Sequence, residues 1–215
     1  LKPDGLLVYT DQAPLVRSAL CVGRRQGLPV VVDAAEYHRV SRHYLLNGVN
    51  VQQWLFRHQL VRRLDGLVGV GKAWCDWASR QGVAAAWVPG FAVSPVAVRT
   101  APAAPGAPMR LVFVGHWVER ECPGVLIEGL AKAIDRGVEL QIDVLGQVDG
   151  SYREQAGLRV LERFPQVRRR MHFTGYLDDH ERDERLALAD FFVILRRPDR
   201  ETEHLFPSRI PEYLA

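Results

Sequence analysis

Phe206-Pro207-Ser208-Arg209-Ile210-Pro211-Glu212-Tyr213-Leu214-Ala215 sets a helix-capping serine, a fixed cation and a carboxylate within little more than one helical turn. Ser208 suits an N-cap, and Pro211 is tolerated in a first turn because its missing N–H would be an orphan donor there. The N–H groups of Ser208, Arg209 and Ile210 then face outward at the positive end of a helix dipole, where an anion such as a diphosphate is readily held. Arg209 adds a full positive charge. The same residues also read as an ordinary capped helix with a surface Glu212. A second set of candidates consists of glycines directly after apolar, β-rich runs: Gly115-His116-Trp117, Gly146-Gln147-Val148 and Gly175-Tyr176-Leu177. Glycine permits a tight turn and lets backbone N–H groups approach a ligand closely, although strand-to-helix turns use it for geometry alone. In parallel α/β sheets ligands sit beyond the carboxyl ends of the strands, so these glycines and the loop from Arg196 to Pro207 belong at one end of a sheet.

The remaining chemistry-bearing residues exclude more than they suggest. Cys21, Cys75 and Cys122 lie far apart with no C-x-x-C spacing, against both a disulfide framework and a zinc site. No Asp-x-Asp occurs; Asp178-Asp179 suits the cap of a following helix, and no metal is expected. Gly69-Val70-Gly71 is half of a dinucleotide fingerprint whose third glycine position is Trp74, which argues against a nicotinamide cofactor. A net charge of +3 over 215 residues, with no basic run interleaved with aromatics, gives no footprint for nucleic acid. The chain is 47% apolar and 25% charged, a globular composition, and has no apolar run of about 18 residues that would span a membrane. Its opening, Leu1-Lys2-Pro3-Asp4, has neither an initiator Met nor the layout of a secretory signal, which leaves export unsupported; a cytoplasmic location is expected. Trp54-Leu55-Phe56-Arg57-His58-Gln59-Leu60-Val61-Arg62-Arg63 has two readings: a basic-aromatic helix lying on the inner face of an anionic membrane, or one with an apolar face in the core and its arginines in water.

These residues need strands to end beside one another, and the hydrophobic pattern supplies them. Gly5-Leu6-Leu7-Val8-Tyr9, Leu28-Pro29-Val30-Val31-Val32, Leu67-Val68-Gly69-Val70 and residues 84–88 read as strands, with helices over Ala13–Gln26, residues 44–63 and residues 73–80 between them. Residues 99–108 are Pro- and Ala-rich and read as a semi-rigid linker. Beyond it the alternation restarts: strands at 110–114, 140–145, 171–174 and 191–195, helices over 124–136, 152–164 and 180–188, and a last helix opening near Ser208. The expected architecture is α/β, two Rossmann-like doubly wound parallel-sheet domains, each incomplete: residues 1–98, the linker 99–108, and residues 109–215. The last helix barely begins, so the chain reads as an internal piece of a longer protein.

Several of these strings resemble one family in order along the chain. Leu111-Val112-Phe113-Val114-Gly115 followed by Val125-Leu126-Ile127-Glu128-Gly129-Leu130, Gln141-Ile142-Asp143-Val144-Leu145-Gly146, Met171-His172-Phe173-Thr174-Gly175-Tyr176, Leu188-Ala189-Asp190-Phe191-Phe192-Val193 and the 206–215 motif resemble the donor-binding domain of group 1 (family 4) retaining glycosyltransferases of the GT-B fold. Residues 63–70 and Val88-Pro89-Gly90-Phe91 resemble strings of its acceptor-side domain. The resemblance implies a metal-independent hexosyltransferase. It would move a sugar from a nucleotide-diphosphate-sugar, a co-substrate and not a bound cofactor, to a glycan or lipid-linked acceptor in cell-surface polysaccharide biosynthesis. It implies donor binding by Gly115, His116, Arg120, Gly175, Tyr176, Ser208, Arg209, Ile210 and Glu212, the last an acceptor-only group suited to the ribose diol. His38, in the polar stretch with Asp33 and Glu36 after the second strand, is implied as a catalytic contact to sugar or acceptor. Glu203 is the other implied catalytic residue, because the family's acidic sugar contact falls on His204, its neighbour. In the front-face mechanism implied, no protein carboxylate acts as nucleophile, and the donor phosphate takes the acceptor proton.

The chain departs from the family in its phosphate loop. The family's cationic pair falls on His116 and Glu121, with Cys122 in place of a glycine, and a carboxylate beside a diphosphate repels it. Arg120 is the neighbouring cation able to meet the leaving-group charge. The alternative is a catalytically silent GT-B protein that binds a nucleotide or a partner glycosyltransferase.

Overall fold

The computed structural model describes residues 3–35, 48–91, 106–148, 155–207 and 209–214. The first sheet consists of β1 (Leu6–Val8), β2 (Val30–Ala34), β3 (Gly66–Gly69) and β4 (Ala85–Trp87), all parallel and in sequence order β1-β2-β3-β4. Parallel neighbours need a crossover, and α1 (Ala13–Gln26) and α3 (Lys72–Arg80) provide two of them. Gly27 ends α1 in the left-handed conformation (φ 66°), which only glycine adopts without cost, and the chain turns there into β2. Val16 and Leu20 of α1 and Trp74 and Ala78 of α3 close over Val30, Val32 and Leu67, the inward-facing residues of the strands. The helix expected over 44–63 lies partly outside the described residues. Its described part is α2 (Gly48–Leu55), which loosens into a π turn at Phe56–Leu60 and a 3-10 turn at Val61–Arg63 before Leu64 leaves the helix. Phe56, Leu60 and Val61 are buried, so this stretch has one face in the core.

The second sheet contains β5 (Met109–Val114), β6 (Leu140–Leu145), β7 (Met171–Gly175) and β8 (Phe191–Phe192), again parallel, in the order β7-β6-β5-β8. The winding reverses at β5, whose two neighbours are formed before and after a return across the sheet. Helices α4 (Pro123–Asp135), α5 (Gln155–Glu162) and α7 (Asp179–Ala187) are the crossovers. The helix expected over 152–164 begins outside the described residues and ends at Glu162, because Pro165 starts a separate turn, α6 (Pro165–Arg168). Asp178 caps α7 as expected: its carboxylate accepts the Glu181 N–H at 2.8 Å, and the Glu181 side chain accepts the Asp178 N–H in return. Phe113, Trp117, Ile127, Leu130, Ile142 and Val144 form the centre of this unit's core.

The loop read from Arg196 to Pro207 contains a short helix, α8 (Arg200–His204), held by a reciprocal cap between Asp199 and Thr202 that the sequence reading passed over. Contacts divide the chain into Leu1–Phe91 with Pro198–Ser208, and Ala92–Arg197 with Arg209–Ala215. Thus α8 packs on α3 of the first unit, with the His204 ring edge-on to Trp74 at 5.3 Å, while α9 (Arg209–Leu214) belongs to the second. Among the described residues no helix is long and apolar enough to cross a membrane.

Candidate functional site

Strand order locates the site before any side chain does. In an open parallel sheet the crevice lies where the winding reverses, here at the carboxyl ends of β5 and β8. The backbone there is stripped to glycine. Gly115 (φ 135°) follows β5 and Gly146 (φ 140°) follows β6, both in a region that side chains avoid. Gly115 donates its N–H to Leu145 O at 2.8 Å, and Gly146 donates to Gly175 O at 3.1 Å. A Cβ on Gly146 would meet Gly115 O at 2.5 Å, so these ends can stand this close only as glycine.

Arg209 lies across this floor. Tyr213, one turn later on the same face of α9, docks the helix: its hydroxyl accepts the N–H of Val114 at 3.2 Å, and its ring stacks on Phe192 at 4.4 Å. That anchorage at β5 and β8 sets the Arg209 guanidinium directly over Gly115, in the space a side chain there would need. From the other side Arg196, just beyond β8, reaches inward. Between the two guanidinium groups is Glu121, 1% exposed, its Oε1 2.9 Å from Arg196 Nη1 and its Oε2 3.4 Å from Arg209 Nη1. Arg120 stands at the edge of the cluster, half exposed, its Nε 3.7 Å from the same carboxylate. Arg197 pairs with Glu119 and donates its backbone N–H to Arg120 O at 3.1 Å, tying the loop after β8 to the loop after β5. The carboxylate that reads from sequence as a repulsive neighbour of a diphosphate is therefore turned inward and neutralised.

The turn that delivers Glu121 is the 3-10 segment Glu119–Glu121, ended by Cys122 in the left-handed conformation (φ 49°). This is the position where the resembled family carries glycine. Cys122→Val is expected to lower stability by about 1–2 kcal/mol, because a β-branched residue is strained there, while Cys122→Gly keeps or slightly raises the melting temperature. Parallel thermal melts of the two variants test this.

Of the residues expected at the site, Gly115, Arg120, Gly175 and Arg209 meet around the strand ends, with His116 exposed on the loop and Tyr176 standing 91% exposed beyond β7. Ile210 follows Arg209 in α9; Glu212 is in the same helix, its side chain outside the described residues, as are Ser208 and His38 entirely. Glu203 is exposed on α8, among the contacts of the first unit. The loop from Arg196 was expected at the ligand end of the sheet, but sequence reasoning missed the role of Arg196 itself and the inward role of Glu121. The usable signal for Arg196 was its place directly after the run 191–195 that reads as a strand, of which the structure pairs Phe191–Phe192 with β5.

In the first unit Asp33 sits on β2 with its Oδ1 buried and without a hydrogen-bond partner among the described residues, and burial raises its pKa. The folded state thus holds this proton to higher pH than the unfolded chain does, and stability falls as pH rises through that window. Asp33→Asn is expected to be more stable than the parent chain at pH 7 and to lose that advantage as pH falls below the ordinary carboxylate pKa. Urea titrations at the two pH values would show it; an equal difference at both would remove burial of the charge as the cause.

No family model and no curated protein matches the chain at significance. Solved structures do. Trehalose 6-phosphate synthase from Burkholderia multivorans superposes with a TM-score of 0.62 at 14% identity, covering 100% of this chain and 55% of the synthase. The lipopolysaccharide outer core galactosyltransferase WaaB aligns at TM-score 0.57 and 12% identity over 84% of this chain and 46% of its own. The pneumococcal O-GlcNAc transferase GtfA, solved with UDP and GlcNAc, aligns at 0.53 and 14% over 80% of this chain and 34% of its own. The fold is that of the GT-B proteins, with a Rossmann-like sheet in each unit, and the chain spans about half or less of the length of these structures.

Proposed function

We propose that this chain carries the donor site of a glycosyltransferase, with the diphosphate of a nucleotide-sugar bound over the glycine ends of the second sheet. The observation that carries the reading is Arg209 held across Gly115 at the reversal of strand order, with Arg196 beside it. When the bond from the sugar to the leaving oxygen breaks, negative charge collects on the diphosphate, and fixed guanidinium groups stabilise it without reorganising. Two such cations supply what a divalent ion supplies elsewhere, so transfer is proposed to be metal-independent and to survive EDTA. By resemblance we assign a retaining, hexosyl-transferring reaction to a glycan or lipid-linked acceptor for cell-surface polysaccharide. Glu212 would hold the ribose, Ser208 and Ile210 the phosphates through their N–H groups, and His38 and Glu203 the sugar or acceptor. A cytoplasmic location, with the 54–63 stretch near the membrane face, belongs to the same proposal.

A silent, nucleotide-binding protein is the second reading, favoured by the one observation that Glu121 already sits between the two arginines. Calorimetric titration of the full-length protein with UDP, GDP and ADP tests the donor site. Micromolar binding of one nucleotide is expected, and binding of none would end the reading. Release of that nucleotide from its sugar donor in the presence of EDTA then separates an enzyme from a silent binder.

A further inference from the structure

We infer that Glu121 is a positioning residue of this site: its buried carboxylate braces Arg196 and Arg209 so that both guanidinium groups are fixed toward the diphosphate. The inference rests on the donor-site reading above and adds to it where the cations come from. They are brought by the segment after β8 and by α9, while in the loop after β5 the two positions that the resemblance makes cationic hold His116 and Glu121.

Three observations carry it. Two arginines this close repel each other unless an anion separates them, and the carboxylate is 2.9 Å and 3.4 Å from their Nη1 atoms. At 1% exposure Glu121 contributes no surface of its own to a ligand, while Arg196 and Arg209 remain 21% and 17% exposed. Glu121 also cannot follow a moving partner, because the 3-10 turn and left-handed Cys122 fix its backbone and the Arg197 N–H to Arg120 O bond fixes the turn. A planar guanidinium has five N–H donors, and bracing one edge orients the others for bidentate contact with phosphate oxygens. With Arg120 counted, the cluster remains net positive.

The test is calorimetry with inorganic pyrophosphate, and with UDP against UMP, GDP against GMP and ADP against AMP, on the full-length protein and on Glu121→Gln. A pure charge effect predicts tighter binding by Glu121→Gln, since an anion has been removed. Positioning predicts the opposite: pyrophosphate affinity falls roughly 5- to 20-fold, and the preference for the nucleoside diphosphate over its monophosphate shrinks while the monophosphate binds as before. A general folding defect would weaken both nucleotides alike, and that outcome overturns the inference. So does equal or tighter pyrophosphate binding by Glu121→Gln, which would make the carboxylate a resident competitor for the arginines. Should Glu121→Gln fail to fold, Glu121→Asp takes its place: it keeps the charge and both arginines but, one methylene shorter, cannot reach the two guanidinium groups together. The same shrunken preference is expected of it, and parental values would sink the inference. If the parent chain binds neither pyrophosphate nor any of the nucleotides, the donor-site reading itself has failed, whatever the variants do.

Discussion

An Arg209→Ala variant is expected to bind its nucleoside diphosphate roughly 10- to 100-fold more weakly than the parent chain, the worth of one charge-assisted hydrogen bond at about 1.5–3 kcal/mol. The effect has two components. The truncation removes the cation lying over Gly115, and it leaves the buried Glu121 carboxylate with Arg196 and the more distant Arg120. Losing the only partner of a buried charge costs about 3–5 kcal/mol, so with Arg196 retained a smaller loss of stability is expected, and the variant folds. Arg209→Lys separates the components. It keeps a charge but not the fork whose Nη1 engages Glu121 while its other atoms lie over Gly115, so affinity should fall between parent and Arg209→Ala. Titration of the three proteins, with melting curves recorded in parallel, decides it; Arg209→Ala binding as tightly as the parent would remove Arg209 from the site.

The second large effect is on stability. Trp117 is fully buried directly beneath the loop that carries His116 and Glu121, edge-on to Phe113 at 5.8 Å and to Phe173 at 5.5 Å. Its indole is packed against α5 so closely that a Cβ on Gly157 would stand 2.6 Å from its Nε1. Trp117→Ala is expected to cost about 3–5 kcal/mol, since the site is walled by two rings and a helix and cannot collapse into the space. The indole N–H meets no acceptor among the described residues, so Trp117→Phe removes an unsatisfied donor together with part of the volume and should cost well under half as much. Urea denaturation of both variants measures the difference, and equal losses would mean that ring volume is not what holds this loop.

The strands were legible because parallel strands buried on both faces read as continuous apolar runs, and Val30-Val31-Val32 and Leu111-Val112-Phe113-Val114 are such runs. Glycines at strand ends were legible for a related reason: the conformation they permit is local, and nothing distant is needed to read it. The Glu121 cluster was not. Its members come from two loops and a helix far apart in the chain, and a carboxylate 88 residues from Arg209 shows its sign in the sequence but not its direction. The family resemblance set Glu121 beside a diphosphate as a repulsive charge; only the reversal of strand order, which brings β8 beside β5, turns it into a counter-ion. Helix α8 was hidden differently. Its reciprocal cap, Asp199 with Thr202, lies in a polar stretch without the apolar periodicity by which longer helices are recognised.

The return of Pro198–Ser208 to the first unit bears on how this protein can be recombined. A chimera that kept the first 91 residues and took everything after them from a relative would bring a foreign α8 to α3. At that junction a side chain on Gly71 would run into the backbone of His204, whose Cα lies 3.1 Å from where the Cβ would be. Gly71 and the residue packed over it must therefore be inherited together, across more than a hundred intervening residues that belong to the other unit. The unit of exchange in this chain is not a contiguous stretch of sequence, and libraries that cross over at the linker alone should be depleted of folded members unless α8 is carried with the first unit.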